Sequence, residues 1–201
     1  MVRISELENY AKENNIPIMM KDGIEFLCNY IKENNIKNIL EIGTAIGYSA
    51  IKMALIDSSI KITTIERDKE RYNIALKNVN DFNLQDQIQI ILGDALDITL
   101  SDKYDLIFID AAKAQYINFF EKYKLNLKQD GTIVSDNLLF HGLVDGNWDD
   151  LSRNVRGIVR KIKNYKDFLD ENKEFKTVYY QLGDGIGISK RQWKLLFFEF
   201  W

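Results

Sequence analysis

The chain has 201 residues, of which 46% are hydrophobic and 28% are charged, and its formal net charge is −3. This composition predicts one globular domain with a sizeable core and excludes overall electrostatic attraction to nucleic acid, although a local basic face is allowed. The single cysteine, Cys28, excludes a disulfide framework and a cysteine-based zinc site, and no apolar run is long enough for a signal core or a membrane span. We therefore expect a cytoplasmic protein without membrane contact.

Hydrophobic periodicity predicts two helices and then an alternation of strands and helices. The stretch Ser5-Glu-Leu-Glu8 has the pattern of a capping box, so the first helix is expected to begin there. A second helix is predicted over residues 22–33. Its apolar face comprises Ile24, Leu27, Cys28 and Ile31.

The predicted strands cover residues 38–42, 61–65, 88–92, 104–109 and 132–135, and the predicted helices cover 47–56, 69–82, 114–125 and 151–169. Residues 175–181 and 185–189 are typical of a closing hairpin. This alternation predicts an α/β fold, with right-handed crossovers and a mostly parallel sheet covered by helices on both faces. We expect residues 1–191 to form a single domain, and the aromatic stretch 192–201 to be an atypical tail outside it.

Two neighbouring predicted strands end in oxygen-bearing side chains. Strand 104–109 runs into Asp110, with Lys113 three residues later, and strand 132–135 runs into Asp136 and Asn137. Ligands of parallel sheets bind beyond the carboxyl ends of the strands, and hard oxygen donors suit Mg²⁺. Asp110 could instead cap a helix, and the Asp136-Asn137 pair could form an Asx turn, but together they predict a divalent metal site. Lys113 could accept a proton from a hydroxyl activated there.

The first strand is followed by a glycine-rich turn that contains Gly43 and Gly47. Ala45 stands where a dinucleotide fingerprint needs its middle glycine for the pyrophosphate, so that cofactor class is disfavoured. Glu66 ends the next strand and could accept both hydroxyls of a ribose, and Asp94 follows the third strand and could accept the amine of an adenine. A nucleoside that is bound by carboxylates and lacks phosphates indicates S-adenosylmethionine.

These residues resemble the class I methyltransferases. The combination of Asp110-Ala-Ala-Lys113 with Asp136-Asn137 is similar to the metal-dependent O-methyltransferases related to catechol and caffeoyl-CoA methyltransferases. Within that family the chain looks most like the bacterial tRNA 5-hydroxyuridine methyltransferases, and the resemblance extends to about Arg191. It implies a Rossmann-like fold with a seven-stranded sheet and an antiparallel C-terminal hairpin, tRNA as a partner, and a homodimer. The chain departs from the family pattern before Ser5, where the family has a further helix, and in its tail.

The resemblance also implies roles for individual residues. Lys113 and Asp110 would be catalytic, and Asp110, Asp136 and Asn137 would hold the metal. The cofactor contacts would be Met19, Gly43, Ser49, Glu66, Asp94, Ala95 and Asp110.

The helix predicted over 151–169 is basic in its first part. Arg153, Arg156 and Arg160 share a face and are candidate contacts to phosphates of a tRNA, whereas Val155, Ile158, Ile162 and Tyr165 share the apolar face. A solvated helix face is the alternative interpretation. The lone histidine, His141, is either a loop residue or a substrate contact.

Three functions remain open on this basis. The leading one is methylation of the 5-hydroxyl of a wobble uridine in tRNA to give 5-methoxyuridine. The alternative is methylation of a small catechol-type acceptor. A non-catalytic nucleoside- or RNA-binding module is disfavoured by the complete metal set and Lys113.

Overall fold

A computed structural model describes residues 3–144 and 146–192, which form a seven-stranded sheet in the order β3-β2-β1-β4-β5-β7-β6. Strands β1 to β5 are parallel, and β7 runs antiparallel to both β5 and β6. The predicted α/β class and the closing hairpin are therefore confirmed. The strands are β1 (Asn38–Ile42), β2 (Lys61–Glu66), β3 (Ile88–Leu92), β4 (Tyr104–Ile109), β5 (Leu127–Ser135), β6 (Phe175–Tyr180) and β7 (Ile186–Arg191).

Helices cover both faces of the sheet and bury two separate hydrophobic clusters. Along β4, Leu106 and Phe108 point into one cluster, and Ile107 and Ile109 point into the other, because successive side chains of a strand face opposite sides. The first four helices pack on one face, and the last two pack on the other. The helices are α1 (Ile4–Glu13), α2 (Lys21–Glu33), α3 (Tyr48–Ala54), α4 (Lys69–Asp81), α5 (Tyr116–Tyr123) and α6 (Arg153–Asp170). Within the described ranges, no helix is long and apolar enough to cross a lipid bilayer.

Three details of the sequence prediction are wrong. The capping box does not form, because Arg3 occupies the N-cap position and Ser5 lies inside α1. Glu8 instead accepts a hydrogen bond of 2.8 Å from the hydroxyl of Tyr48, so a tertiary contact replaces the local one. The helix predicted over 114–125 is shorter, since 3₁₀ turns at Lys113–Gln115 and Lys124–Asn126 flank α5.

The third error concerns the buried face of α6, which is rotated from the predicted one. Its buried residues are Val159, Ile162, Tyr165 and Leu169, whereas Ile158 is 38% exposed. Aromatic packing explains the rotation, because the Tyr165 ring meets Tyr116 edge-on and its hydroxyl lies 2.7 Å from Ser135 Oγ on β5. The predicted tail beyond Gln192 lies outside the described residues.

A fully buried carboxylate, Glu41, ties β1, β2 and α3 together beneath the first strand-to-helix turn. Its two oxygens accept hydrogen bonds from the hydroxyls of Ser49 and Thr64, and Thr64 Oγ1 in turn lies 2.6 Å from Thr44 Oγ1. Burial raises the pKa of Glu41 from 4.5 to about 7, an effect that the two hydroxyls oppose and that Asp110 and Glu66 reinforce by charge repulsion. The protonated form is thus favoured in the folded protein.

The raised pKa of Glu41 predicts that the free energy of unfolding depends on pH, and that this dependence is absent in Glu41→Gln. The unfolded chain releases this proton near pH 4.5, whereas the folded protein retains it to about pH 7. Stability from this group is therefore complete below the unfolded pKa and is lost as the pH rises through the folded value. The difference in free energy of unfolding between the Gln variant and wild type should therefore increase by roughly 3 kcal/mol as the pH rises from about 5 to about 8. Urea unfolding at several pH values measures this increase.

The matched control is Glu70→Gln, which changes an exposed acid on α4. This variant should keep the wild-type dependence of unfolding free energy on pH. Parallel pH dependences for wild type and Glu41→Gln would contradict the assignment.

Candidate active site

A cavity of 340 Å³ lies beyond the carboxyl ends of the parallel strands, where ligands bind in open α/β sheets. Most of the residues predicted to bind the cofactor, the metal or the acceptor line it. The predicted residues on its wall are Met19, Gly43, Ser49, Glu66, Asp94, Ala95, Asp110, Lys113 and Asn137. Asp136 lies outside the cavity wall, as do Arg153, Arg156, Arg160 and His141.

The turn after β1 takes a shape that only glycine allows at Gly43. The φ angle of this residue is +103°, and a Cβ atom there would lie 2.1 Å from the carbonyl oxygen of Asp110. Gly47 is also left-handed, with φ of +85°, and forms the N-cap of α3. The turn therefore lies directly against the end of β4, which brings the cofactor turn and the first predicted metal ligand together.

Glu66 is the buried carboxylate that ends β2. Its Oε2 accepts a hydrogen bond of 2.8 Å from the amide of Ala45, and its Oε1 accepts one of 2.8 Å from the amide of Asp68. Each oxygen retains a further acceptor position. The side chain is thus held by two backbone amides and can accept two vicinal hydroxyls, as the sequence predicts for a ribose.

The turn after β3 places Asp94 and Ala95 on the cavity wall. Asp94 Oδ1 accepts a hydrogen bond of 2.9 Å from the amide of Leu96. Its second oxygen receives no hydrogen bond from any described residue. That oxygen can therefore accept a hydrogen bond from an amine such as that of adenine.

Asp110 and Asp136 follow adjacent strands and continue their ladders. The amide of Asp110 donates to Ile42 O at 3.0 Å, and the amide of Asp136 donates to Ile109 O at 3.1 Å. Asp136 is 2% exposed, and no described residue donates to its buried Oδ1. Burial and the charge of Asp110 raise the pKa of Asp136.

The two carboxylates and Asn137 fit a divalent cation. An unpartnered buried oxygen and two mutually repelling acids are stabilised by a positive charge, and all the donors are hard oxygens. In residues 3–144 and 146–192, no cluster of three His, Cys, Asp or Glu side chains could hold a metal. Asn137, which has φ of 63° and whose amide group donates to Asp136 Oδ2 at 2.6 Å, is the residue whose side-chain oxygen would complete such a set.

Lys113 lies beside the carboxylates at the beginning of a 3₁₀ turn. Its Nζ lies 3.3 Å from Asp110 Oδ1 and 5.7 Å from the centre of the Tyr116 ring. The hydroxyl of Tyr116 donates to the carbonyl of Asp136 at 3.2 Å. Tyr116 therefore supports both the lysine and the second candidate metal ligand from inside the core.

The loop after Asn137 presents His141 to solvent. The side chain of His141 is 74% exposed, and its Nδ1 lies 3.8 Å from Asp184 Oδ1 in the β6–β7 turn. The His141 amide also donates a hydrogen bond to Asp184 Oδ1, and the imidazole ring lies 5.5 Å from that of Phe140. Phe140 and His141 both have positive φ angles, so Asp184 holds an unfavourable backbone shape near the candidate metal ligands.

The three arginines predicted to contact phosphate differ in their surroundings. Arg153 and Arg160 are exposed on α6. Arg156 is half-buried, and its Nη2 donates to the carbonyls of Asp149 at 3.2 Å and Leu151 at 3.1 Å. Arg156 thus fastens the loop that precedes α6, a role that the sequence pattern did not reveal.

Several cavity residues were missed by the sequence analysis. They are Pro17, Ile18, Thr44, Ala45, Tyr48, Arg67, Arg71, Gln115 and Phe119. Adjacency to a strand end could have located Thr44, Ala45 and Arg67, whereas the others lie before α2, in helices or in the 3₁₀ turn before α5.

Known proteins with the same fold identify the family. The O-methyltransferase family matches residues 2–192. An Arabidopsis thaliana protein with the provisional name caffeoyl-CoA O-methyltransferase is 30% identical over 196 residues, which cover 94% of this chain and 84% of that protein. A Staphylococcus aureus structure with the same provisional name is 39% identical, with a TM-score of 0.91, and the match covers 96% of this chain and 93% of that one.

A Bacillus cereus O-methyltransferase, solved in complex with S-adenosylhomocysteine, is 25% identical with a TM-score of 0.80 and coverage of 94% and 90%. The fold, the residues at the strand ends and the similar proteins all indicate the same family. The chain belongs to the O-methyltransferase family of class I S-adenosylmethionine-dependent enzymes.

Proposed function

We propose that the protein methylates the 5-hydroxyl of a uridine at the wobble position of tRNA, with S-adenosylmethionine as donor and a divalent cation, to give 5-methoxyuridine. The observation that supports this chemistry is that two acidic residues in different environments lie at the carboxyl ends of the parallel strands. Glu66 is fixed by backbone amides on the cavity wall, while Asp136 keeps a buried oxygen without a donor from the described residues. The first suits a ribose, and the second suits a cation.

The cofactor half of the cavity consists of residues that orient a nucleoside. Glu66 would accept the ribose hydroxyls, and Asp94 would accept the amine of the base. Gly43 allows close approach of the ligand because it has no side chain. S-adenosylmethionine supplies an activated methyl group, so the protein's task is to align an oxygen nucleophile with it.

The acceptor half prepares that nucleophile. Asp110, Asp136 and Asn137 would hold the divalent cation, which favours the ionised form of a hydroxyl bound beside it. Lys113 Nζ, at 3.3 Å from Asp110 Oδ1, is the group to which we assign the hydroxyl proton. The acceptor oxygen gains the methyl group as the bond between that methyl and the sulfonium sulfur breaks, and S-adenosylhomocysteine leaves. Lys113 first gives up an ammonium proton to solvent, and its amine then takes the hydroxyl proton.

The surface charge of α6 supports a nucleic-acid acceptor. Before Asp167 the helix contains no acid, and the basic residues of this part are Arg153, Arg156, Arg160, Lys161, Lys163 and Lys166. The helix follows the loop after Asn137 and packs against the Lys113–Gln115 turn. Exposed cations in this position can contact phosphates while the base enters the site. A homodimer, as the family resemblance implies, belongs to the same proposal.

A small catechol-type or caffeoyl-type acceptor is the second candidate. The provisional names of the relatives favour it, and so does Arg156, whose guanidinium is occupied by loop carbonyls. The Phe140–His141 ring pair could also lie against a small planar acceptor. The basic surface of α6 would then be a solvated helix face.

The cofactor role predicts that Glu66→Ala weakens binding of S-adenosylhomocysteine by about 100-fold, because a ribose loses charge-assisted acceptors. Isothermal titration calorimetry measures the affinity. The control Glu70→Ala, at an exposed position of α4, should bind as wild type does. Equal affinities for wild type and Glu66→Ala would remove Glu66 from this role.

The metal role predicts that Asp136→Ala abolishes turnover but leaves S-adenosylhomocysteine affinity within about two-fold of wild type, since Asp136 lies outside the cavity wall. Wild-type activity should disappear in excess chelator and return with Mg²⁺. The exposed Asp167→Ala variant is the control and should retain activity. Undiminished turnover in chelator would overturn the metal requirement.

The tRNA role predicts a salt effect that depends on exposed cations of α6. The triple variant Arg153→Ala, Arg160→Ala, Lys163→Ala should bind a 5-hydroxyuridine anticodon stem-loop more weakly, with a salt slope shallower by roughly 2 to 3. Arg156 stays unchanged so that the loop remains fastened. Fluorescence anisotropy across a salt series measures both quantities.

The control replaces Lys12, Lys32 and Lys173, which are exposed on other surfaces, by alanine. It should keep the wild-type slope. If the α6 variant also keeps it, α6 is a solvated helix face and gives no support to a tRNA acceptor. If wild type methylates a small catechol and leaves the RNA unmodified, the tRNA assignment is wrong and the second candidate holds.

A further inference from the structure

A lysine on α5 reaches across to the turn that follows β3. Lys122 Nζ donates to the carbonyl of Ala95 at 3.0 Å and to the carbonyl of Leu96 at 2.5 Å. It also lies 5.4 Å from the centre of the Tyr123 ring. Lys122 is absent from the cavity wall, so it belongs to neither the cofactor contacts nor the catalytic groups described above.

Tyr123 reinforces the same turn. Its buried hydroxyl lies 2.6 Å from the carbonyl of Ala95 and 3.3 Å from that of Ile98. The carbonyl oxygen of Ala95 therefore receives two donors from neighbouring residues of α5. Ala95 is buried and its neighbours are half-buried, and such convergence on one peptide of the turn fixes the orientation of that peptide plane.

The opposite edge of the peptide is held as well. The peptide between Ala95 and Leu96 has its oxygen bound by Lys122 and Tyr123, and its N–H bound by Asp94 Oδ1 at 2.9 Å. This arrangement occupies one carboxylate oxygen of Asp94 and leaves the other to the cavity. Among the described residues none accepts a hydrogen bond from the N–H of Ala95. A donor, this N–H, and an acceptor, the second carboxylate oxygen of Asp94, therefore belong to neighbouring residues of the cavity wall.

We propose that Lys122 is a positioning residue that sets the specificity of the cofactor site for adenine. A donor and an acceptor that are adjacent and rigid match the ring nitrogen and the amine of adenine, and they mismatch hypoxanthine, which carries an oxygen and an N–H in those places. The inference rests on the cofactor part of the proposed function. Discrimination of this kind requires fixed groups, because a turn that can rotate adapts to either base.

A lysine suits this position for a physical reason. The ammonium group offers three donors and no acceptor, so it can bridge two carbonyls that point the same way. Hydrogen bonds from a charged donor are stronger than those between neutral groups. Arginine also donates to carbonyls, whereas methionine keeps the bulk of the chain and offers no donor.

The test compares the affinities of S-adenosylhomocysteine and its hypoxanthine counterpart, S-inosylhomocysteine, by calorimetry in the wild-type protein and in variants. Lys122→Met should weaken S-adenosylhomocysteine binding about ten-fold and should bring the adenine-to-hypoxanthine affinity ratio close to one. Lys122→Arg should restore most of the ratio. Tyr123→Phe, which removes only the hydroxyl, should reduce it partly.

The matched control is Lys124→Met, which removes another lysine just beyond α5. Lys124 pairs with Glu121 and Glu174 and makes no contact with the turn after β3. This variant should lose some thermal stability and keep the wild-type ratio. An unchanged ratio in a folded Lys122→Met protein overturns the inference, as does an equal loss of affinity for both ligands.

Failure of the wider proposal has a different signature. If wild type binds neither ligand, the cofactor assignment itself fails. If wild type prefers adenine strongly and Lys122→Met does so equally, only the role of Lys122 is refuted. If Lys122→Met does not fold, the test uses Lys122→Arg and Tyr123→Phe instead. A wild-type adenine-to-hypoxanthine affinity ratio in Tyr123→Phe would then contradict the role of the fixed peptide.

Discussion

The contact between Gly43 and the carbonyl oxygen of Asp110 is the constraint on which the site depends. A side chain at residue 43 would lie 2.1 Å from that oxygen, so the turn after β1 can touch the end of β4 only through glycine. The same turn reaches β2 through the hydrogen bond from Ala45 to Glu66. One small loop therefore joins the group suited to a ribose with the group suited to a cation, and it sets the distance between donor and acceptor chemistry.

Placing these groups together concentrates acidic side chains at the carboxyl ends of the parallel strands. Glu41, Glu66, Asp110 and Asp136 all lie there, and repulsion contributes to the raised pKa of both Glu41 and Asp136. The protein relieves this repulsion with hydroxyls below the turn and with Lys113 beside it. A sulfonium and a divalent cation each bring positive charge to these strand ends, so electrostatics favour the proposed ligands over an anionic nucleotide.

The sequence predicted the parallel sheet well because the parallel strands are rich in apolar residues, and acidic residues end or closely follow β2, β3, β4 and β5. The limits of β1, β3 and β4 were predicted correctly, and the strand-end rule located Glu66, Asp94 and Asp110. The errors share a cause, which is competition from tertiary contacts. Glu8 bonds to Tyr48 instead of capping α1, and Tyr165 rotates the buried face of α6. Neither Arg156 nor Lys122 has a sequence signature, because their partners are backbone carbonyls, which no residue type marks.

The two halves of the site are held by different kinds of interaction, and this bears on how acceptor choice is encoded. On the cofactor side, strand ladders and the hydrogen bond from Ala45 to Glu66 fix the turns after β1 and β2, while Lys122 and Tyr123 hold the turn after β3. On the proposed acceptor side, the amides of Leu138 and Leu139 donate to the β6–β7 turn, and the side chains of Asp184 and Arg156 hold the loops beyond Asn137. Arg156 and Asp184 are therefore the side chains whose substitution would reshape the proposed acceptor loop without touching the strand ladders, and Lys122 is the corresponding side chain for the turn after β3.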